Sequence, residues 1–355
     1  VNGKRIDFGY RTRSLRLRGV SARVPVRLAV VTAVLAATAV VLALSGLAFG
    51  EYPLSITQVA RALTAGEGFE RTVVVEWRMP VAVAAVVFGA MLGIGGAIFQ
   101  SVTRNPLGSP DVIGFDVGAY TAVVITILVL DGGSSWSLTA AALVGGLGTA
   151  IVVDALAYRR GIRGFRLIVV GIAVAAMLGS VNAYLVTRAD IDGAMTVGFW
   201  AAGSLDRVTW AGVIPAVLVA AAVVLVVFVA ARDLRSLELG DDAACMQGTR
   251  VTRARLVLLV AGVASTALVT AAAGPIAFVA LAAPQLAKRL TRSPGVSLIA
   301  AAAMGAALLA AAQLLALIIA QLYRPIPVGL LTVCIGGLYL VWLLIREARR
   351  RTTGS

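Results

Sequence analysis

Ten apolar runs alternate along this chain with short polar, arginine-bearing connections. They fall near residues 26–49, 81–102, 113–130, 138–157, 167–187, 208–231, 255–273, 275–290, 297–321 and 327–345. Most are long enough to cross a hydrocarbon core of ~30 Å, which needs about 20 residues of helix. The step Gly274-Pro275 divides what would otherwise be one run, because glycine ends helices and proline lacks the N–H to continue one. The pattern predicts an all-α membrane protein, a polytopic bundle of about ten transmembrane helices with short helices in its cytoplasmic connections. The spanning domain covers 26–346, between a cationic, mobile arm at 1–25 and a tail at 347–355.

One connection differs from an ordinary loop. Arg104-Asn105-Pro106-Leu107-Gly108-Ser109-Pro110-Asp111 lies between two spanning runs and carries two prolines. Unpaired backbone groups facing lipid would each cost several kcal/mol, so this turn must cap or line something. The breaks at Gly274-Pro275 and at Pro325-Ile326-Pro327-Val328-Gly329 raise the same demand and point to a pathway or a moving joint. Glycines at 89, 93 and 96, at 145, 146 and 148, and at 336 and 337 give small faces for close helix packing.

Composition agrees with the pattern. Hydrophobic residues make up 60% of the 355 and charged residues only 14%, too little polar surface to enclose a water-soluble globule. The net charge of +14 is unevenly placed. With ten spans, all of the 31 basic residues except Arg61, Arg71, Arg78, Arg188, Arg207 and Arg324 fall on one side, which is therefore cytoplasmic and carries both termini. The charge reads as topology and attraction to anionic lipid heads, with no call for nucleic acid. The first run is too long for a signal peptide and no small-x-small site follows it, so it reads as an uncleaved span.

Several chemistries are excluded. The chain has no histidine, and Cys245 and Cys334 lie far apart without metal or disulfide spacing. There is no G-x-x-x-x-G-K-[ST] loop, Lys4 and Lys288 being the only lysines, and no G-x-S-x-G elbow. No enzyme site and no bound cofactor or metal is expected. Asp116 and Asp154 lie near predicted cytoplasmic ends, where a carboxylate reaches water. No midplane carboxylate pair supports ion coupling, which points to energy supplied by another subunit.

Residues 232–252 stand out among the cytoplasmic connections. Gly240 can stop one short helix and Asp241 can cap a second, giving two small amphipathic helices that meet in a knob. Such a knob is either a solvated loop or a docking surface for a soluble partner.

Taken together, these motifs resemble the FecCD-type permeases, membrane subunits of ATP-driven importers for ferric siderophores, haem and vitamin B12. The resemblance covers nearly the whole chain. It is carried by Glu76-Trp77-Arg78-Met79-Pro80, Gly89-Ala90 through Gln100, the turn with Asn105 and Pro106 followed by Gly114, Gly118 and Ala119, and Gly198-Phe199-Trp200 with Gly203-Ser204-Leu205. Leu237 to Gly248, Gly274-Pro275-Ile276-Ala277-Phe278 with Pro284, and Pro327-Val328-Gly329 complete it. The family implies a permease paired with itself or a close relative over two cytoplasmic ATP-binding subunits, which consume the ATP and Mg²⁺. It implies an extracytoplasmic siderophore-binding protein as a further partner, and a multi-pass place in the cytoplasmic (inner) membrane.

Site roles follow from the same resemblance. Leu237, Leu239, Gly240, Asp241, Ala244 and Gly248 would couple to the ATPase, while Arg61 and Arg324 would meet acidic residues on the binding protein. The fifth span, a short helix at Thr196–Leu205 and the tenth span would line the pathway. Arg78, Pro80, Gln100, Asn105, Pro106, Gly114, Gly198, Trp200, Gly203, Gly274, Pro275, Pro284, Pro327 and Gly329 are the pathway or structural motif positions.

The chain departs from the family pattern at three places. Pro284-Gln285 replaces Pro-His, Gln313 stands where many members have aspartate, and Arg324-Pro325-Ile326 precedes Pro327 in place of an acidic residue. Ala282-Ala283-Pro284-Gln285 with Gly336-Gly337-Leu338-Tyr339 is similar to the subgroup that forms one half of a heterodimer. The expectation is a ferric-siderophore permease subunit of the ferric-enterobactin type. Vitamin B12 or haem cargo is the alternative within the fold, and an ion-coupled secondary transporter the alternative class.

Overall fold

A computed structural model describes residues 12–17, 20–64, 68–130, 134–157 and 163–352. Among the described residues, ten principal helices correspond to the ten apolar runs. The first five are Val26–Gly46, Met79–Thr103, Phe115–Leu128, Ser135–Ala157 and Arg163–Arg188. The sixth to tenth are Trp210–Glu238, Val251–Ala273, Val279–Thr291, Leu298–Leu322 and Val328–Thr352. Seven spanning segments are long and apolar enough to cross a bilayer by length and composition, and the third and tenth helices add shorter apolar stretches.

The second and seventh helices form the buried centre. Small residues set its spacing: Gly89 and Gly305 each present the bare Cα to the other's carbonyl, and Gly93 meets the carbonyl of Ala301. A side chain at any of these would push the second and ninth helices apart, and lipid-embedded helices associate chiefly through such close packing. Gly118 and Gly145 pair the third helix with the fourth in the same way.

Long-range hydrogen bonds tie each end of the bundle. At the basic end, Arg27 donates to the Leu290 carbonyl at 2.9 Å, and Glu238 accepts from Ser101 Oγ at 2.6 Å and from Val296 N at 3.3 Å. At the other end, Trp210 Nε1 donates to the Val75 carbonyl at 2.9 Å and Gln321 Nε2 to the Gly50 carbonyl at 3.4 Å.

Several boundaries differ from those predicted. Within residues 1–25, Thr12–Leu17 and Val20–Pro25 pair as an antiparallel hairpin, in register from Thr12 opposite Pro25 to Leu17 opposite Val20, where a mobile arm was expected. The tenth helix continues to Thr352 and takes up most of the expected tail. The eighth helix starts at Val279, later than predicted, because Gly274 and Phe278 both have positive φ, 75° and 68°, and hold the intervening backbone out of the helix. A helical lead-in from Phe69 to Arg78 precedes the second helix and includes a wider π-type stretch over Thr72–Arg78.

Candidate functional site

The sixth helix runs unbroken to Glu238, so the first of the two expected short helices is simply its final turns. Gly240 (φ 111°) breaks it, and a single short helix, Asp241–Met246, follows before Gly248 (φ 81°) turns the chain into the seventh helix. Asp241 is not the cap predicted for it. It sits just inside the short helix, and its carboxylate accepts from Arg255 Nη2 at 2.9 and 3.0 Å, with Arg104 Nη2 at 3.5 Å from Oδ1. One carboxylate thus joins the short helix to the seventh helix and to the turn after the second. Ser236 Oγ donates to Gln247 Oε1 at 2.9 Å and closes the knob from below.

Burial then divides the six coupling candidates. Leu237 and Ala244 are buried and anchor the segment, whereas Leu239 is 66% exposed; Met246, which is not among the candidates, is 84% exposed beside it. The segment presents these two apolar side chains beside an acidic first turn of Asp241 and Asp242.

The polar turn caps, one of the two roles its sequence allowed. Arg104 (φ 52°) closes the second helix, and Asn105 Oδ1 accepts from Leu107 N at 2.9 Å, an Asx turn that fixes the Pro106 step. Asp111 Oδ2 accepts from Phe278 N at 3.1 Å and so satisfies the donor at the start of the eighth helix. Gly114 (φ 88°) packs against Ala175 of the fifth helix and turns the chain into the third. Asp116 does not reach water as expected. That turn leaves it 7% exposed with Oδ1 unpartnered among the described residues, whereas Asp154 is exposed.

Three further motifs, distant in sequence, meet in one backbone junction. Ser204 N donates to the Ala273 carbonyl and Gly329 N to the Gly203 carbonyl, both at 2.8 Å. Gly203 (φ 66°) lies on the Pro275 carbonyl, Gly274 on the Trp200 carbonyl, and Gly329 on the carbonyl of Ala202. No side chain fits between these strands of backbone. The short helix here is Ile191–Ala201, not Thr196–Leu205, since Gly203 ends it. Trp200 stacks on Tyr120 with ring centroids 5.5 Å apart and planes 10° apart, while Gly198 faces open space.

The remaining positions are placed as follows. Pro80 is buried in the first turn of the second helix. Pro284 lies inside the eighth helix and Pro327 directly before the tenth. Arg78 donates to the carbonyls of Leu47 and Tyr52 and staples the connection between the first and second helices, a structural duty. Arg61, on the amphipathic helix Ile56–Thr64, and Arg324, between the ninth and tenth helices, are exposed at that same end. The fifth and tenth helices and the short helix between the fifth and sixth show wide apolar faces, including Met177, Ile191 and Leu338.

Sequence reasoning missed Glu238, Arg255 and the pair Gln313 with Asp206, whose Nε2 and Oδ1 lie 2.9 Å apart. Each is polar and lies in or near an apolar run, but its partner lies 14 to 137 residues away. No local pattern could reveal those pairings.

The model of the FecCD transport family matches residues 26–346. The ferric enterobactin transport system permease protein FepG of Escherichia coli (strain K12) is 43% identical over 328 residues, 92% of this chain and 98% of FepG. The Fe(3+) dicitrate transport system permease protein FecD of the same strain is 33% identical, covering 77% of this chain and 85% of FecD. Among solved structures, one described as an inward-facing conformation of a metal-chelate type ABC transporter covers 90% of this chain and 99% of its own, with TM-score 0.76 and 22% identity. That last likeness speaks to the fold alone. By the family match over nearly its whole length, this chain belongs to the FecCD transport family.

Proposed function

We propose that this chain is a permease subunit of an ATP-binding-cassette importer that moves a ferric siderophore inward across the cytoplasmic membrane. Two cytoplasmic subunits hydrolyse the ATP, a second, non-identical permease completes the pathway, and an extracytoplasmic binding protein delivers the cargo to the end carrying Arg61 and Arg324. Both termini and the coupling segment face the cytoplasm. The observation that carries the ATP-coupled reading is the short helix Asp241–Met246, locked by Asp241 to Arg255 and Arg104 while Leu239 and Met246 stay exposed. A rigid body of this kind passes a push from a partner into the sixth and seventh helices without absorbing it. The cargo class is supported by relatives named for ferric enterobactin, Fe(3+) dicitrate and iron(3+)-hydroxamate. A siderophore wraps its own iron, so a pathway without histidine suits it.

Uptake of several labelled ferric siderophores, cobalamin and haem in cells lacking the gene tests the cargo. Loss of one ferric siderophore alone is expected; loss of cobalamin or haem uptake with siderophore uptake intact would move the cargo to those molecules.

A second reading, an ion-coupled carrier, draws on Asp116, a buried carboxylate whose Oδ1 has no partner among the described residues. Asp116→Asn separates the two, since an ATP-driven permease keeps its uptake and a proton-coupled one loses it.

A further inference from the structure

Beside the coupling segment, the sixth and seventh helices part to leave a groove of 640 Å³. Its wall is apolar: Leu225 and Val229 line it and are 64% and 74% exposed, and Val226 and Val257 continue it. Its rim is basic, formed by Arg250 and Arg253, with Asp233 the one carboxylate in the lining. Both arginines are exposed, and neither side chain has a hydrogen bond or ion pair among the described residues. Arg232 and Arg235, exposed on the last turns of the sixth helix, add to the same positive field.

A wall that rises from the spanning part of a helix to a doubly cationic rim has the polarity of a phospholipid, tails first. The guanidinium fork matches a phosphate in charge and geometry. We infer that this groove holds an anionic phospholipid in the leaflet on the side of the coupling segment. A zwitterionic head would bring its own ammonium to a rim that is already positive, whereas a phosphatidylglycerol head adds none. A soluble acidic protein would leave Leu225 and Val229, two to three turns down the helix, without a partner. Gly248 and Thr249, the residues that follow the short helix, line the groove beside the arginines, so the bound head braces the coupling segment. The inference rests on the proposed cytoplasmic orientation only for which leaflet supplies the lipid.

The test uses the permease purified with its partner subunits, offered phosphatidylglycerol against phosphatidylcholine, with retained lipid counted by native mass spectrometry. The expected result is about a thirtyfold preference for phosphatidylglycerol, about fivefold from each of two arginines near the head. It should be lost in Arg250→Gln/Arg253→Gln and kept in Arg71→Gln at the other end. If the double variant does not fold, Arg253→Gln alone should cut the preference about fivefold. Equal retention of the two lipids by the unaltered protein, or an undiminished preference in the variants, overturns the site. Variants that shed the ATP-binding subunits while keeping the lipid preference would assign the rim to protein contact and overturn it too. Maleimide labelling of exposed Cys245 in a Cys334→Ser background, in sealed vesicles of known sidedness, reads the orientation separately. Reaction from the outer face alone would contradict the proposed topology and the leaflet, while leaving the lipid count intact.

Discussion

Gln285 donates from Nε2 to Gln100 Oε1 at 2.6 Å, and Gln100 in turn donates from its Nε2 to the Leu281 carbonyl at 3.0 Å. The pair sits where Pro284 interrupts the eighth helix: proline has no N–H for the carbonyl of Ala280, and Gly96 packs its Cα against that carbonyl. Two amides therefore hold the second helix against a helix weakened by its own proline. Truncating Gln285 to Leu leaves Gln100 Oε1 buried without a donor, which costs about 1–3 kcal/mol. Thermal unfolding of the solubilised permease should shift down by several degrees, and an unchanged midpoint would remove the pair from the account.

Asp111 compensates the left-handed backbone of Phe278, a conformation that costs a non-glycine residue ~1–2 kcal/mol. Its bond to the Phe278 N–H is charge-assisted and contributes about 1.5–3 kcal/mol. In Asp111→Ala, hydrogen exchange should accelerate over residues 274–282 and stay as it was in the ninth helix. Uniform protection would show that the turn does not hold the break.

The glycine junction predicts a sharp contrast. A methyl at Gly203 would run into the Pro275 carbonyl and must tolerate φ 66°, whereas one at Gly198 meets open space. Gly203→Ala is expected to destabilise by more than about 2 kcal/mol, with poor accumulation in membranes. Gly198→Ala should accumulate normally. Equal levels of the two would contradict the packing.

Gly240 joins the sixth helix to the short helix at φ 111°, outside the range of a β-branched residue. Gly240→Val should leave the permease in the membrane but abolish uptake, and should break the link between cargo delivery and ATP hydrolysis in the assembled transporter. Asp241→Asn weakens a partly exposed ion pair, worth no more than ~1 kcal/mol, and should slow uptake several-fold. Full uptake in Gly240→Val would dismiss the coupling role.

Arg61 and Arg324 are exposed and without ion-pair partners among the described residues. Exposed charges steer encounters more than they hold complexes. Charge reversal at both should lower the association rate of the binding protein several-fold at low salt and much less at 0.5 M salt, where the Debye length is only a few Å. A salt-independent loss would indicate packing contacts instead.

The spans were legible because a bilayer imposes one strong rule, about 20 apolar residues per crossing. The breaks at Gly274 and Pro327 were legible for the same reason, as proline and glycine interrupt a repeating backbone pattern. What escaped was long-range pairing. Asp116 sits near the end of its run, yet Gly114 turns it inward, and the neighbours of Asp241 in sequence predict a cap where the fold makes an ion pair. Gly240 is a stop in sequence and in structure, but nothing local distinguishes a separate short helix from the last turns of a long one. Arg255, 14 residues on, decides what Asp241 does.

Transport by the reconstituted assembly tests the central claim most directly. The permease, its partner permease and the ATP-binding subunits are placed in proteoliposomes with ATP and Mg²⁺ on the coupling-segment side and no ion gradient, and a loaded binding protein is added outside. The account predicts accumulation of the ferric siderophore that stops when the ATP is replaced by a non-hydrolysable analogue. Accumulation without hydrolysable ATP, driven by an imposed proton or sodium gradient, would contradict it.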